Sequence, residues 1–109
     1  MERLQPSDAI LLLKSILESG YVIPTENFRY QQREHGLDCD DFLQQAVEKG
    51  VIREPSTRNW LDSSLPAYKL EAVLTLDESR RWVSIDFCFH GLDTVYLFAC
   101  GSQELRNDW

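Results

Sequence analysis

The chain has 109 residues, a length that fits one domain able to bury roughly two thirds of the surface its unfolded form exposes, without disulfide or metal staples. Its 18 Asp and Glu against 11 Lys and Arg give a formal net charge of -7, spread over both halves, a field that repels phosphate backbones and attracts basic partners. The longest apolar run, Ala9 to Leu13, is far short of the roughly 20 residues that cross a bilayer, and no basic segment leads into an apolar one at the N-terminus, so a soluble, cytoplasmic chain is expected.

In chain order, Ser7 is placed to cap a first helix on which Ile10, Leu13, Ile16 and Leu17 recur at helical spacing, and Gly20 stands where a left-handed terminating residue would sit. Tyr21 to Pro24 reads as a short extended link. Thr25 then caps a second helix through Phe28 and Gln32 to His35, with a thin apolar face and Gly36 as its stop. Leu37 is the apolar residue expected just past such a glycine, Asp38 is the expected cap of a third helix, and Asp40 and Asp41 fall in its first turn, where the helix dipole favours acids. Phe42, Leu43, Ala46 and Val47 form the buried stripe of that helix, with Lys49 in its last turn and Gly50 at its end. The local crowd of His35, Cys39 and three aspartates is thereby read as helix punctuation rather than as a metal or nucleophile site.

From Arg53 to Pro66 the chain is polar and broken by prolines, which reads as a surface connection pinned by Trp60 and Leu61. Tyr68 to Leu76 and Trp82 to His90 alternate with period two around Asp77-Glu78-Ser79-Arg80, and so form a hairpin. If Leu76 opposes Arg81, Leu74 pairs with Val83, Ala72 with Ile85, Leu70 with Phe87 and Tyr68 with Phe89, all on one face. A last strand from Thr94 to Cys100 is apolar on both parities, as suits a central strand covered on both sides, and the tail beyond it is polar. The expected fold class is α+β: one domain over 1–109, with three N-terminal helices (9–50) packed on one face of a small antiparallel sheet (67–100).

The opposite face of the hairpin is the candidate for chemistry; the plainer reading is a solvated face whose modest charge repulsion Lys69 offsets. In the same register Lys69 opposes Cys88, Glu71 opposes Asp86, Val73 opposes Ser84 and Thr75 opposes Trp82, with His90 at the strand end. The facing carboxylates of Glu71 and Asp86 call for a neighbouring cation, with Lys69 on the diagonal, for a raised carboxyl pKa, or for a partner's cation. Cys88 and His90, two apart on one strand face, are about 7 Å apart at the Cα, and no third member completes a thiol nucleophile. Cys39, Cys88 and Cys100 are odd in number and lack C-x-x-C spacing, which argues against a disulfide framework and a zinc ribbon and for reduced thiols. No H-E-x-x-H, phosphate-binding glycine loop or G-x-S-x-G elbow is present, so no metal and no cofactor are expected.

The run LLLKSILESGYVIPTENFRYQQREHGLDCDDFLQQAVEKG resembles the N-terminal half of the MqsR-like RNA interferase toxins: a helix ending in Gly20, a link with Val22 and Thr25, a second helix, then Gly36-Leu37-Asp38 opening a third. The hairpin YKLEAVLTLDESRRWVSIDFCF and the strand DTVYLFAC follow the strand order of that RelE-like fold, so the resemblance covers residues 9–100. It implies a metal-independent endoribonuclease of a toxin-antitoxin system, in which a base takes the ribose 2'-OH proton, cations stabilise the phosphorane and an acid protonates the leaving oxygen. Lys69, Arg81 and His90 would be the catalytic residues, with Tyr68 or Tyr96 accessory, and the partners would be RNA and an antitoxin. The chain departs from the family in its acidic charge and in reading Leu97-Phe98-Ala99-Cys100-Gly101 where those toxins end the strand on a basic segment. The alternative on the same scaffold is a non-catalytic acidic module, such as an immunity protein or inhibitor, that binds a basic protein, for example a cognate toxin, through Glu71, Asp86, Asp77, Glu78 and Trp82.

Overall fold

The computed structural model describes residues 3–39, 41–53 and 66–105. Trp60, Leu61 and most of the connection between Arg53 and Pro66, together with Asp40 and the last residues of the tail, lie outside the described residues.

Helix α1 spans Pro6–Ser19, and its N-cap is Gln5, which makes no side-chain capping bond. Ser7 does not cap it: Pro6 occupies the first turn, where its fixed φ and missing N–H suit a helix start. The helix buries Ala9, Leu13 and Ile16. Gly20 ends it in an extended rather than a left-handed conformation, with φ -105°. A side chain there would run into the Asp93 carbonyl, which accepts the Tyr21 N–H at 2.7 Å.

That contact turns the expected link into a strand. β1, Tyr21–Pro24, pairs in parallel with the last strand, Val22 beside Val95 and Pro24 beside Leu97. Helix α2, Glu26–Glu34, is capped by the Thr25 hydroxyl, which accepts from the Phe28 N–H at 3.2 Å. It closes on Gly36 with φ +65°: Leu37 N–H donates to the Gln32 carbonyl at 2.7 Å and Gly36 N–H to Arg33 at 3.2 Å, a Schellman arrangement that buries Leu37. Helix α3, Phe42–Lys49, starts later than Asp38 predicts; its N-cap is Asp41, whose carboxylate accepts from the Gln45 side chain four residues on. No acid lies in its first turn among the described residues.

The sheet has five strands in the order β1-β5-β4-β3-β2, with β2 at Val51–Ile52, β3 at Ala67–Leu76, β4 at Ser79–Phe89 and β5 at Thr94–Glu104. It is therefore mixed rather than antiparallel throughout, and β1 separates the first two helices. The α+β class stands.

The β3–β4 register differs from the expected one by two residues. Leu76 faces Ser79, Leu74 faces Arg81, Leu70 faces Ile85 and Tyr68 faces Phe87. The cause is the turn: Asp77 and Glu78 both take positive φ, 50° and 65°, and close the hairpin in two residues instead of four. A slip of two keeps every side chain on its expected face while replacing every cross-strand partner. Leu70, Ile85 and Phe87 face the helices together with Tyr68 and Phe89, whose rings pack at centroid distances of 5.4–5.5 Å. Burying each such ring contributes about 2–3 kcal/mol.

β5 buries side chains on both faces, through a device absent from the period-two reading. A bulge inserts Phe98 between the Asp86–Ala99 and Phe87–Leu97 pairs. Val95, Leu97 and Cys100 consequently join the helix-side core, whereas Phe98 joins Ala67 and Cys88 in a small cluster on the other face. Beyond Pro24 the edge of β5 is completed by α2. Asn27 donates to the Phe98 carbonyl at 2.8 Å and Gln31 accepts from the Cys100 N–H at 2.8 Å.

Candidate functional site on the outer face of the sheet

The face turned away from the helices presents the odd-numbered side chains of β3 and the even-numbered ones of β4. Lys69 stands opposite Asp86, Glu71 opposite Ser84, and Val73 opposite Trp82. Glu71 and Asp86 therefore do not face each other. Glu71 is served instead from the sheet edge, where Arg53 Nε meets its carboxylate at 3.2 Å.

Asp86 is the unusual member of this face. It lies between Lys69 and Ala99, beside the Ala67–Cys88–Phe98 cluster, and its Oδ1 is buried without a hydrogen-bond partner. Burial raises its pKa above the ordinary carboxyl range, and the Lys69 ammonium offsets part of that rise. On the other side of the sheet burial pushes the Cys100 thiol up to about 12, with the Asp86 charge adding to it.

The three residues that an RNA-cleaving site would use are dispersed. Lys69 is half-buried at mid-sheet. His90 lies four residues beyond Asp86, roughly 13 Å along the strand, exposed, with its ring edge-on to Tyr96 at 6.0 Å. Arg81 points to the helix side, where Nη1 donates to the His35 carbonyl at 2.8 Å and ties the end of α2 to the start of β4. Tyr68 and Tyr96 likewise occupy opposite faces. Tyr68 is buried on the helix side and its hydroxyl accepts the Leu4 N–H at 2.8 Å.

The second set forms a strip along the hairpin. Asp86, Glu71 and Trp82 follow one another on the outer face toward Asp77 and Glu78 at the tip. Trp82 is half-buried rather than exposed; beside it Val73 is 44% exposed, so the pair gives the strip an accessible apolar centre. Arg53 was missed as a member of this face because its partnership with Glu71 depends on β2, a two-residue strand with no periodic signal.

Among the described residues no three His, Cys, Asp or Glu side chains converge as metal ligands, and no helix is long and apolar enough to cross a membrane. Comparison with protein-family models, with curated proteins and with solved structures finds no match to this chain.

Proposed function

We propose that the chain is an acidic protein-binding module that engages a basic protein, such as a nuclease it inhibits, in the cytoplasm. The observation that supports this reading is the distribution of charge on the hairpin. Lys69, Arg81 and His90 lie apart and on different faces, whereas Glu71, Asp77 and Glu78 flank one strip around Val73 and Trp82. Phosphoryl-transfer chemistry needs cations converging on one phosphate, and a net charge of -7 opposes the approach of RNA. A basic partner gains from the same field in its rate of association, and an aromatic residue with an apolar neighbour supplies an anchor at the centre.

The test is direct. Purified chain is titrated against a panel of basic nucleases and, separately, against total RNA. The module reading expects saturable protein binding that weakens at least tenfold in Trp82→Ala and in Asp77→Lys with Glu78→Lys, with no RNA cleavage. RNA cleavage that disappears in Lys69→Ala with His90→Ala, while the fold is retained, establishes the toxin-like endoribonuclease instead.

A further inference from the structure

A cavity of about 650 Å³ opens where the chain enters α1, next to the strip at Arg53, and it lies within the size range of small-molecule sites. Its walls include Leu4, Pro6, Ile52 and Tyr68, and its ionised lining groups are two guanidiniums, those of Arg3 and Arg53. In a chain of net charge -7, two guanidiniums are the ionised groups that line this cavity among the described residues.

Arg3 is fixed in place. Its Nη1 donates to the Ala67 carbonyl at 2.6 Å and its guanidinium lies over the Tyr68 ring, 5.1 Å from the centroid. Tyr68 is held in turn: its oxygen accepts from Leu4 N–H, which leaves its own O–H proton to donate. Arg53 is anchored through its backbone, whose N–H donates to the Lys69 carbonyl at 3.1 Å. Its side chain meets Glu71 through Nε alone, in a pair that is 67% exposed on the Arg53 side. Such an exposed pair holds the guanidinium weakly.

From this geometry we infer that the cavity binds a small organic anion, a carboxylate or phosphate monoester on a short apolar body. Guanidiniums pair with either oxyanion through parallel N–H bonds, and Leu4, Pro6 and Ile52 cover the apolar part. Carboxylate and phosphate share this recognition, and the experiment separates them.

The full chain, labelled with nitrogen-15, is titrated with phenylacetate, with phenyl phosphate and with uncharged phenylacetamide while amide shifts are followed. At least one anion should give saturable shifts centred on Leu4, Ile52 and Arg53, and phenylacetamide should bind at least tenfold more weakly. Arg53→Gln should lower the anion's affinity at least tenfold, and Glu71→Gln, which releases Arg53, should raise it about twofold. Arg3→Gln should also weaken binding, but because Arg3 holds Ala67 the Arg53 variant decides the outcome. Saturation by neither anion, equal binding of the amide, or unchanged affinity in Arg53→Gln overturns the inference.

Discussion

Lys69 and Asp86 face each other directly across β3 and β4, yet the Asp86 Oδ1 atom is buried without a hydrogen bond. The carboxylate is held by a charge across the strand and not by a donor, so burial raises its pKa despite the ammonium. A carboxyl whose folded pKa exceeds its unfolded value near 3.9 takes up a proton on folding, so stability falls as pH rises from about 4 through the raised folded value. Asp86→Asn removes that penalty. At pH 7 it should be at least as stable as the parent, with a gain on the order of 1 kcal/mol, and the difference should vanish below about pH 4. Urea denaturation at pH 3.5, 5 and 7 checks this; a loss of stability at pH 7 that persists at pH 3.5 refutes it. Lys69→Met removes the offsetting charge, so the carbon-13 titration of the Asp86 carboxyl should move to still higher pH.

Two consecutive acids in left-handed backbone, Asp77 and Glu78, close the hairpin. Each non-glycine residue there costs about 1 kcal/mol, least for Asp and Asn, and the neighbouring like charges add to it. Asp77→Asn with Glu78→Gly matches what a type I′ turn prefers and should stabilise by about 1 kcal/mol, a rise of roughly 4–8 °C in Tm. No change in Tm, or a fall, would show that the turn carries no such strain. Because this tip belongs to the proposed contact strip, the same variant should bind a basic partner more weakly while folding more firmly.

What the sequence disclosed and what it hid follow from the range of the interactions involved. The Thr25 cap and the Gly36-Leu37 closure of α2 are set within a few residues of themselves, so they can be read locally. The faces of β3 and β4 are legible because alternation reports parity. Their register is not, because a slip of two leaves parity unchanged and depends on whether Asp77 and Glu78 accept positive φ. β1 looked like a link because four residues ending in proline carry little strand signal, and its pairing with β5 spans about seventy positions. The candidate site inherits these limits: Glu71 and Asp86 were placed on the right face with the wrong partners.

Helix α2 buries only Phe28, because part of its sheet-facing surface bonds to backbone rather than packing on side chains. Asn27 and Gln31, one helical turn apart, complete the hydrogen bonding of β5 where β1 ends. Gln31→Ala leaves the Cys100 N–H without its acceptor and should cost about 1–2 kcal/mol. Its specific signature is hydrogen exchange: the Cys100 amide should exchange at least tenfold faster, while the Leu97 amide, on the other side of the bulge, changes by the global loss alone. Uniform acceleration across β5 would mean that the glutamine acts only through general stability.

The three thiols differ enough in setting to be told apart by reaction. Cys39 is exposed; Cys88 is fully buried, and Cys100 is buried with a thiol pushed up to about 12. Only the thiolate attacks a disulfide reagent, so Cys39 alone should react with an aromatic disulfide in the native state, and the other two only when denaturant opens the sheet. Burial, and then the charge of Asp41, hold the Cys39 pKa above the ordinary thiol range, so its labelling rate should still be climbing at pH 9. Asp41→Asn removes the second of these causes and should speed labelling at pH 8 by about twofold. The same substitution leaves a neutral amide oxygen in place of the carboxylate that accepts from Gln45, so α3 should loosen by no more than about 0.5 kcal/mol, and a circular-dichroism melt separates that loss from the thiol effect. Two fast native thiols would show that α2 does not seal the edge of β5 around Cys100.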